Sequence, residues 1–397
     1  MPNVNRRSFL KSVSALAGSA ALGPIYGTMG ALAAENKIRI TAVEPYVLKT
    51  GSCFVLVRTS EDVTGIGEAS PMNSRVAAEL IKTTFAPMLV GKNPLDIERL
   101  WETIYYRTYK QGVMGIQPEA LAGVDIALWD ILGKTANLPI SQLLGGARRP
   151  SVRMYSSIGG GARATAKEMA KRAEDAVNDG FTAVKIRMDY GPVPPDANVK
   201  HDMDVLATVR KAIGPDVELG FDPNNGYSTN TAIRVGKMIE QFNVIHYEEP
   251  VAQTDYAGYR QVVEAVDIPV AAGEHEYTRW QFRDLIEIGN PDILQPDLVK
   301  CAGISEGIKI AALSSAHHKI LVPHQTQPTI GQAATLHFVS VFTAGDTAQE
   351  LAHGGMKSAL QSLFKSPLEF KDGRLTVPTG PGLGLELDEE KMKAMVV

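Results

Sequence analysis

Two rhythms of apolar and polar residues divide this chain. From Ile38 to Val47 and from Cys53 to Arg58, β-branched residues and alternation predict strands, and Gly65-Ile66-Gly67-Glu68 continues the meander. Helical spacing follows from Ser74 to Phe85, Pro94 to Tyr105 and Pro118 to Lys134. In the last of these, Ala122, Ile126, Trp129 and Leu132 recur as a packing stripe. Strands followed by helices make an α+β unit.

From about Val152, short apolar runs alternate with helical stretches. The runs are Val152–Ile158, Ala183–Arg187, Glu218–Asp222, Val244–Glu248, Val270–Glu274, Ile293–Asp297, Ile320–Pro323 and Thr347–Glu350. Eight βα-like units predict an α/β chain closed into a (β/α)8 TIM barrel. An open doubly wound sheet is the rival. The stretch from Phe370 to Met395 holds Pro378, Gly380, Pro381 and Gly382, and reads as an irregular return segment packing on the first domain. The expected divisions are 1–34, 35–150, 151–368 and 369–397.

The first division reads as a targeting segment. Arg6-Arg7-Ser8-Phe9-Leu10-Lys11 is a twin-arginine pattern, an apolar run spans Val13 to Leu22, and Ala31-Leu32-Ala33 suits signal-peptidase cleavage. The alternative is a disordered basic arm. No other stretch approaches the ~20 apolar residues of a membrane span. The expectation is a mature enzyme free of the membrane and, in a bacterium, periplasmic.

Composition adds mainly exclusions. With 44% hydrophobic and 21% charged residues among 397, the chain is ordinary for a globular protein. Its net charge is −4, and the first 34 residues carry only Arg6, Arg7 and Lys11, so the remainder holds 37 basic against 44 acidic residues, or −7. That balance gives no footing for nucleic acid or anionic membrane. Positive charge for an acidic substrate must be local or come from a metal. Cys53 and Cys301 form no disulfide framework and read as two unrelated buried thiols, although one bridge is conceivable.

The ends of the barrel runs carry the chemistry. Asp222, Glu248 and Glu274 each close a run, at equal intervals of 26 residues. Successive strand ends line one barrel mouth, so three carboxylates converge there. Each acid could instead cap the following helix, but three in series repel one another unless a cation neutralises them. Oxygen-only ligands suit Mg²⁺, whereas Zn²⁺ would want His or Cys. Asp297 and His324 end the next two runs, where the carboxylate can hold the imidazole and raise its basicity. Lys185 and Arg187 share one face of the second run and approach the metal site from the side opposite His324.

At these residues the chain resembles the mandelate racemase/muconate lactonizing branch of the enolase superfamily, over essentially its whole mature length. The carrying motifs are Asp222-Pro223-Asn224-Asn225-Gly226, Glu248-Glu249-Pro250, Gly273-Glu274, Gln295-Pro296-Asp297 and Pro323-His324. Asp125-Ile126-Ala127-Leu128-Trp129-Asp130 and Leu143-Leu144-Gly145-Gly146 are also typical. The resemblance implies a modified barrel with an N-terminal α+β capping domain, Mg²⁺ on Asp222, Glu248 and Glu274, and a His324–Asp297 acid/base dyad. Glu350 is implied to hydrogen-bond the substrate carboxylate as it becomes an enediolate, with Lys185 and Asn224 as further substrate contacts. A homo-oligomer is also implied. The family often has Lys-x-Lys on the second strand, and Arg187 stands at the second lysine's position. A guanidinium is a poor base, which favours a one-base reaction.

The expected activity is therefore Mg²⁺-dependent dehydration of a sugar acid to a 2-keto-3-deoxy acid, with Glu350 protonated to donate. A cycloisomerase or epimerase of a sugar acid or lactone is the alternative. A metal-dependent hydrolase is disfavoured because Tyr155-Ser156-Ser157 stands where a first-strand His-x-His would be. An exported, non-catalytic sugar-acid-binding protein is the remaining class. The loops from Lys49 to Cys53 and Tyr105 to Lys110 are expected to close the mouth, with Arg107 and Lys110 meeting hydroxyls or a second carboxylate.

Overall fold

A computed structural model describes residues 37–190, 195–196 and 198–397; the twin-arginine segment lies outside the described residues. Strands β1 (Ile40–Val47), β2 (Cys53–Thr59) and β3 (Thr64–Ala69) form an antiparallel meander. The helix Ile116–Ala136 lies across it, and most of its residues are buried. Two glycines permit this approach. A Cβ on Gly67 would stand 1.9 Å from the Gly123 carbonyl oxygen, and one on Gly65 would stand 2.1 Å from that of Ala127. Glycine in a strand here marks close backbone contact. Asn137, in the left-handed region at φ 53°, ends the helix.

The barrel strands are β4 (Ser151–Ile158), β5 (Ala183–Arg187), β6 (Glu218–Asp222), β7 (Val244–Glu248), β8 (Val270–Ala272), β9 (Ile293–Leu294), β10 (Ile320–Leu321) and β11 (Gln349–Ala352). All eight run parallel, in the order β10-β9-β8-β7-β6-β5-β4-β11. Among the described residues no ladder joins β10 to β11, so the hydrogen-bonded ring is open at that seam. Strands β5, β6 and β7 match the apolar runs residue for residue. Strands β8, β9 and β10 stop earlier than their runs, at Gly273 (φ 130°) and ahead of Pro296 and Pro323. Proline offers no N–H to a ladder. Glu274, Asp297 and His324 therefore sit on short loops just past the sheet.

The return segment is more regular than its glycines and prolines suggest. Strands β12 (Phe370–Lys371) and β13 (Arg374–Thr376) form a hairpin, and β13 pairs antiparallel with β4, Leu375 opposite Val152. The chain then reaches the capping meander, where Leu48 bridges Val396 and Arg58 pairs with Glu389 at 2.6 Å.

The two domains are clasped by polar groups on the capping helices. The Trp101 and Trp129 indoles donate to the Ala302 carbonyl and the Ser305 hydroxyl, both at 2.9 Å. Asp125 accepts the Ser305 N–H and hydroxyl. Asp130 accepts the Ile66 and Leu383 N–H groups and pairs with Lys134. Cys53 and Cys301 are separate buried thiols. No helix among the described residues is long and apolar enough to cross a membrane.

Candidate active site

Asp222 and Glu248 close β6 and β7, and Glu274 follows β8 by two residues. Their carboxylate oxygens lie within 4.8 Å of one another, with Asp222 and Glu248 wholly buried. Burial and the neighbouring Glu248 push Asp222 well above the usual carboxylate range. Burial also works against ionising Glu248 and Glu274, but nearby cations outweigh it: Lys185 for the first, His324 and Lys300 for the second. The site is thus an anionic pocket already partly balanced by the chain's own cations.

Lys185 stands among these anions. Wholly buried on β5, its ammonium contacts Glu248, lies 2.9 Å from Glu350 Oε1 and 4.0 Å from Asp222 Oδ2. Burial opposes its charge, but Glu248 and Glu350 outweigh burial and hold its pKa well up.

Asp222 is fixed by Asn224, whose backbone N–H and side-chain amide donate to its two oxygens at 2.7 and 3.0 Å. Asn224 Oδ1 accepts the Asp189 N–H. Asn224, expected to meet substrate, is thus brought to the site as the residue that holds Asp222. Its backbone is left-handed at φ 50°, and its side-chain amide joins a carboxylate to a loop.

His324 Nδ1 lies 2.7 Å from Asp297 Oδ2. A carboxylate can only accept, so Nδ1 carries a proton, and in the neutral imidazole Nε2 keeps its lone pair. Nε2 points at Glu274 Oε2 (3.2 Å) and Glu350 Oε2 (3.7 Å). Glu350 Oε2 also accepts the Gln325 N–H at 2.9 Å. Burial would raise Glu350, but Lys185 and His324 bring it below the ordinary carboxyl range. The expectation of a protonated, donating Glu350 is therefore corrected: beside the Lys185 ammonium it is an ionised counter-ion, and Lys185 is the donor.

Arg187 pairs with Asp189 at 3.4 Å, and its buried Nε meets no acceptor. Burial works against its charge, yet Asp189, Glu350 and Asp222 keep it firmly protonated. Arg107 and Lys110 are exposed; Arg107 lines a groove with Arg39, Lys92 and Arg99, not with the site residues.

Several site residues escape a reading of strand ends. Gln295 donates to Glu248 Oε2 at 2.6 Å, and His246 Nε2 lies 3.3 Å from the same oxygen. Each stands two positions before a strand-end acid, so the period-two alternation could have found both. Lys300, buried past β9, contacts Glu274 and Asp297 at 3.1 and 3.7 Å; only its three-residue offset from Asp297 hints at this.

Comparison with known proteins accords with this geometry. The family described as "Mandelate racemase / muconate lactonizing enzyme, N-terminal domain" matches residues 38–145, and "Enolase C-terminal domain-like" matches residues 168–391. The chain is 35% identical to D-galactarolactone cycloisomerase of Agrobacterium fabrum over 352 residues, 85% of this chain and 89% of that one. It is 32% identical to arabinonate dehydratase of Saccharolobus solfataricus, covering 88% and 89%. Among solved structures, a mandelate racemase/muconate lactonizing protein from Paracoccus denitrificans complexed with magnesium aligns with TM-score 0.87 and 37% identity, over 91% of this chain and 99% of that one.

Proposed function

The chain belongs to the mandelate racemase/muconate lactonizing enzyme family of the enolase superfamily, and from that premise we propose that it dehydrates a sugar acid with the help of Mg²⁺. The observation that carries this reading is the placing of a free imidazole nitrogen beside a triad of buried carboxylates. His324 Nε2 is 3.2 Å from Glu274, which lies with Asp222 and Glu248 in one oxygen-only cluster.

The cluster fits a hard divalent ion. Its donors are all carboxylate oxygens, they converge within 4.8 Å, and they are too buried for water to screen their repulsion. Asp222, Glu248 and Glu274 would hold Mg²⁺, which when bound supplies positive charge to the substrate's carboxylate. Everything else falls to the chain. Lys185 receives the same carboxylate and stabilises the charge that grows on it as the α-carbon is deprotonated. His324 Nε2 takes the α-proton, and Asp297 holds the resulting imidazolium. Glu350 keeps Lys185 charged and in place. Arg187, protonated, leaves the other side of the site without a base. The enediolate then collapses: its electron pair forms the double bond, the β-carbon–oxygen bond breaks, and the hydroxyl leaves as water with the proton held by His324. The enol tautomerises to the 2-keto-3-deoxy acid. Export by the twin-arginine route would place this reaction in the periplasm.

A lactone cycloisomerase is the second reading, favoured by the relative of that name. A panel of sugar acids and lactones incubated with Mg²⁺ in D₂O, followed by NMR and mass spectrometry, tests both. The expected result is a keto acid lighter by one water, absent with His324→Asn. A product of unchanged mass from a lactone would favour the second reading, and absence of any α-deuterium exchange or product would refute both.

A further inference from the structure

Lys300 has no part in the steps above, yet it is among the most enclosed cations of the molecule, at 3% exposure. It follows β9 in the turn that begins at Asp297, whose carbonyl accepts the Lys300 N–H at 2.9 Å. That turn returns its ammonium towards the site, where it donates to Glu274 Oε1 at 3.1 Å and lies 3.7 Å from Asp297 Oδ2. The two carboxylates have different tasks. Glu274 belongs to the triad, whereas Asp297 steers the imidazole. Each reaches His324 through another contact: Glu274 Oε2 faces Nε2 at 3.2 Å, and Asp297 Oδ2 faces Nδ1 at 2.7 Å. Lys300, Glu274, His324 and Asp297 thus form a closed ring of contacts in which both ring nitrogens are addressed by carboxylates that share one ammonium.

We propose that Lys300 is a positioning residue that fixes the metal-binding carboxylate Glu274 and the dyad carboxylate Asp297 relative to each other, and so holds His324 Nε2 in line with the α-carbon. The proposal rests on the proton abstraction by His324 argued above. Lys300 acts through the two carboxylates that contact the imidazole, not on the reacting atoms. An ammonium suits this task because its three donors can serve two acceptors at once. Enclosure keeps the ion pairs from being screened. Asp297 Oδ1 is anchored by the Val299 N–H at 2.9 Å, so losing this cation leaves Oδ2, the oxygen that faces His324 Nδ1, without its second partner. A displacement of about 1 Å in a positioned base costs on the order of 10²-fold in rate.

Two variants and two readouts test this. Lys300→Met removes the charge, and Lys300→Arg retains it. In steady-state kinetics on the substrate identified above, Lys300→Met should lower kcat about 10²-fold with KM changed by less than about threefold. Lys300→Arg should recover most of the loss. Mn²⁺ affinity, measured by electron paramagnetic resonance without substrate, should not weaken in Lys300→Met, because the lost ammonium competes with the ion for Glu274. If kcat per metal-loaded site is unchanged, or falls only in step with Mn²⁺ affinity, Lys300 does not position the dyad. The second readout needs no turnover. The His324 Nδ1 proton, assigned in ¹⁵N-histidine-labelled protein by its absence in His324→Asn, should shift in Lys300→Met and return in Lys300→Arg. An unmoved resonance overturns the proposal. Wild-type protein inert towards every acid would instead refute the assigned function and leave the resonance to judge Lys300.

Discussion

Glu68 is the carboxyl through which the capping meander meets the helix Ile330–Phe342, which begins just beyond the His324 loop. It is wholly buried; Oε2 accepts the Gly331 N–H at 3.0 Å, and Oε1 meets no donor. Burial pushes its pKa from an ordinary 4.5 up to about 8, only partly offset by that N–H and the nearby Ser52 hydroxyl. The folded protein thus keeps a proton on Glu68 across a range in which the unfolded chain has lost it. Stability from this group is complete below about pH 4.5, declines as pH rises, and is gone above about pH 8. At about 1.4 kcal/mol per pH unit, the total is on the order of 5 kcal/mol. Glu68→Gln keeps an acceptor for Gly331 and has no charge to bury. Its melting temperature should match wild type near pH 4.5 and exceed it increasingly towards pH 8.5. An unfolding entropy of roughly 2 cal/mol/K per residue makes the final gap about 6 °C. Differential scanning calorimetry across that range measures it. A gap that stays constant with pH would refute the reasoning, because it would mean Glu68 is ionised in the folded protein.

The dyad makes its own pH prediction. Burial pulls the His324 pKa down, but Glu274 and Glu350 outweigh it and leave it above its ordinary 6.5. Neutral imidazole is the working form, so kcat/KM should fall as pH drops through the raised pKa of His324. The midpoint should move down in Asp297→Asn, and a move upward in the pH–rate profile would contradict the assignment. Glu248→Gln should weaken Mg²⁺ binding by at least about 10²-fold in calorimetric titration; unchanged affinity would remove Glu248 from the ligand set. Replacing Arg6 and Arg7 together with lysine should leave the full-length chain in the cytoplasm on fractionation, whereas continued export would dismiss the twin-arginine reading.

How far the sequence could be read depended on whether the relevant contact was local. Strands β5, β6 and β7 were visible residue for residue because each is an apolar run ended by a charged residue, and this pattern also located Asp222 and Glu248. The next three strands were over-extended because hydrophobic pattern does not register where the ladder stops; Gly273, Pro296 and Pro323 end it. That misreading cost little, since the residues past those breaks are the ones that reach the site. Asn224, by contrast, was found by its motif, but nothing in the chain order shows that its amide turns back on Asp222. The charge state of Glu350 was hidden for a similar reason. It is set by Lys185 and His324, which are respectively 165 and 26 residues away in sequence and adjacent only in the fold.

The two relatives that bracket this chain bear the names of different reactions, a dehydration and a cycloisomerisation. Their first step can nevertheless be one and the same. Once an α-proton is gone and charge rests on the carboxylate, the bond that breaks is the one from the β-carbon to its oxygen. If that oxygen belongs to a free hydroxyl, water leaves and mass is lost. If it is tied into a lactone ring, the same cleavage opens the ring and mass is unchanged. In the roles proposed for them, His324 and Lys185 would serve both outcomes without moving, because neither role depends on where the far end of the leaving oxygen is attached. Dehydratase and cycloisomerase would then differ in the shape of the space above the β-carbon, which the loops expected to close the mouth are proposed to set. It follows that His324→Asn should abolish both activities together, whereas substitutions in the loops should alter their ratio. A His324→Asn variant that kept lactone opening while losing dehydration would show that the two reactions do not share a base.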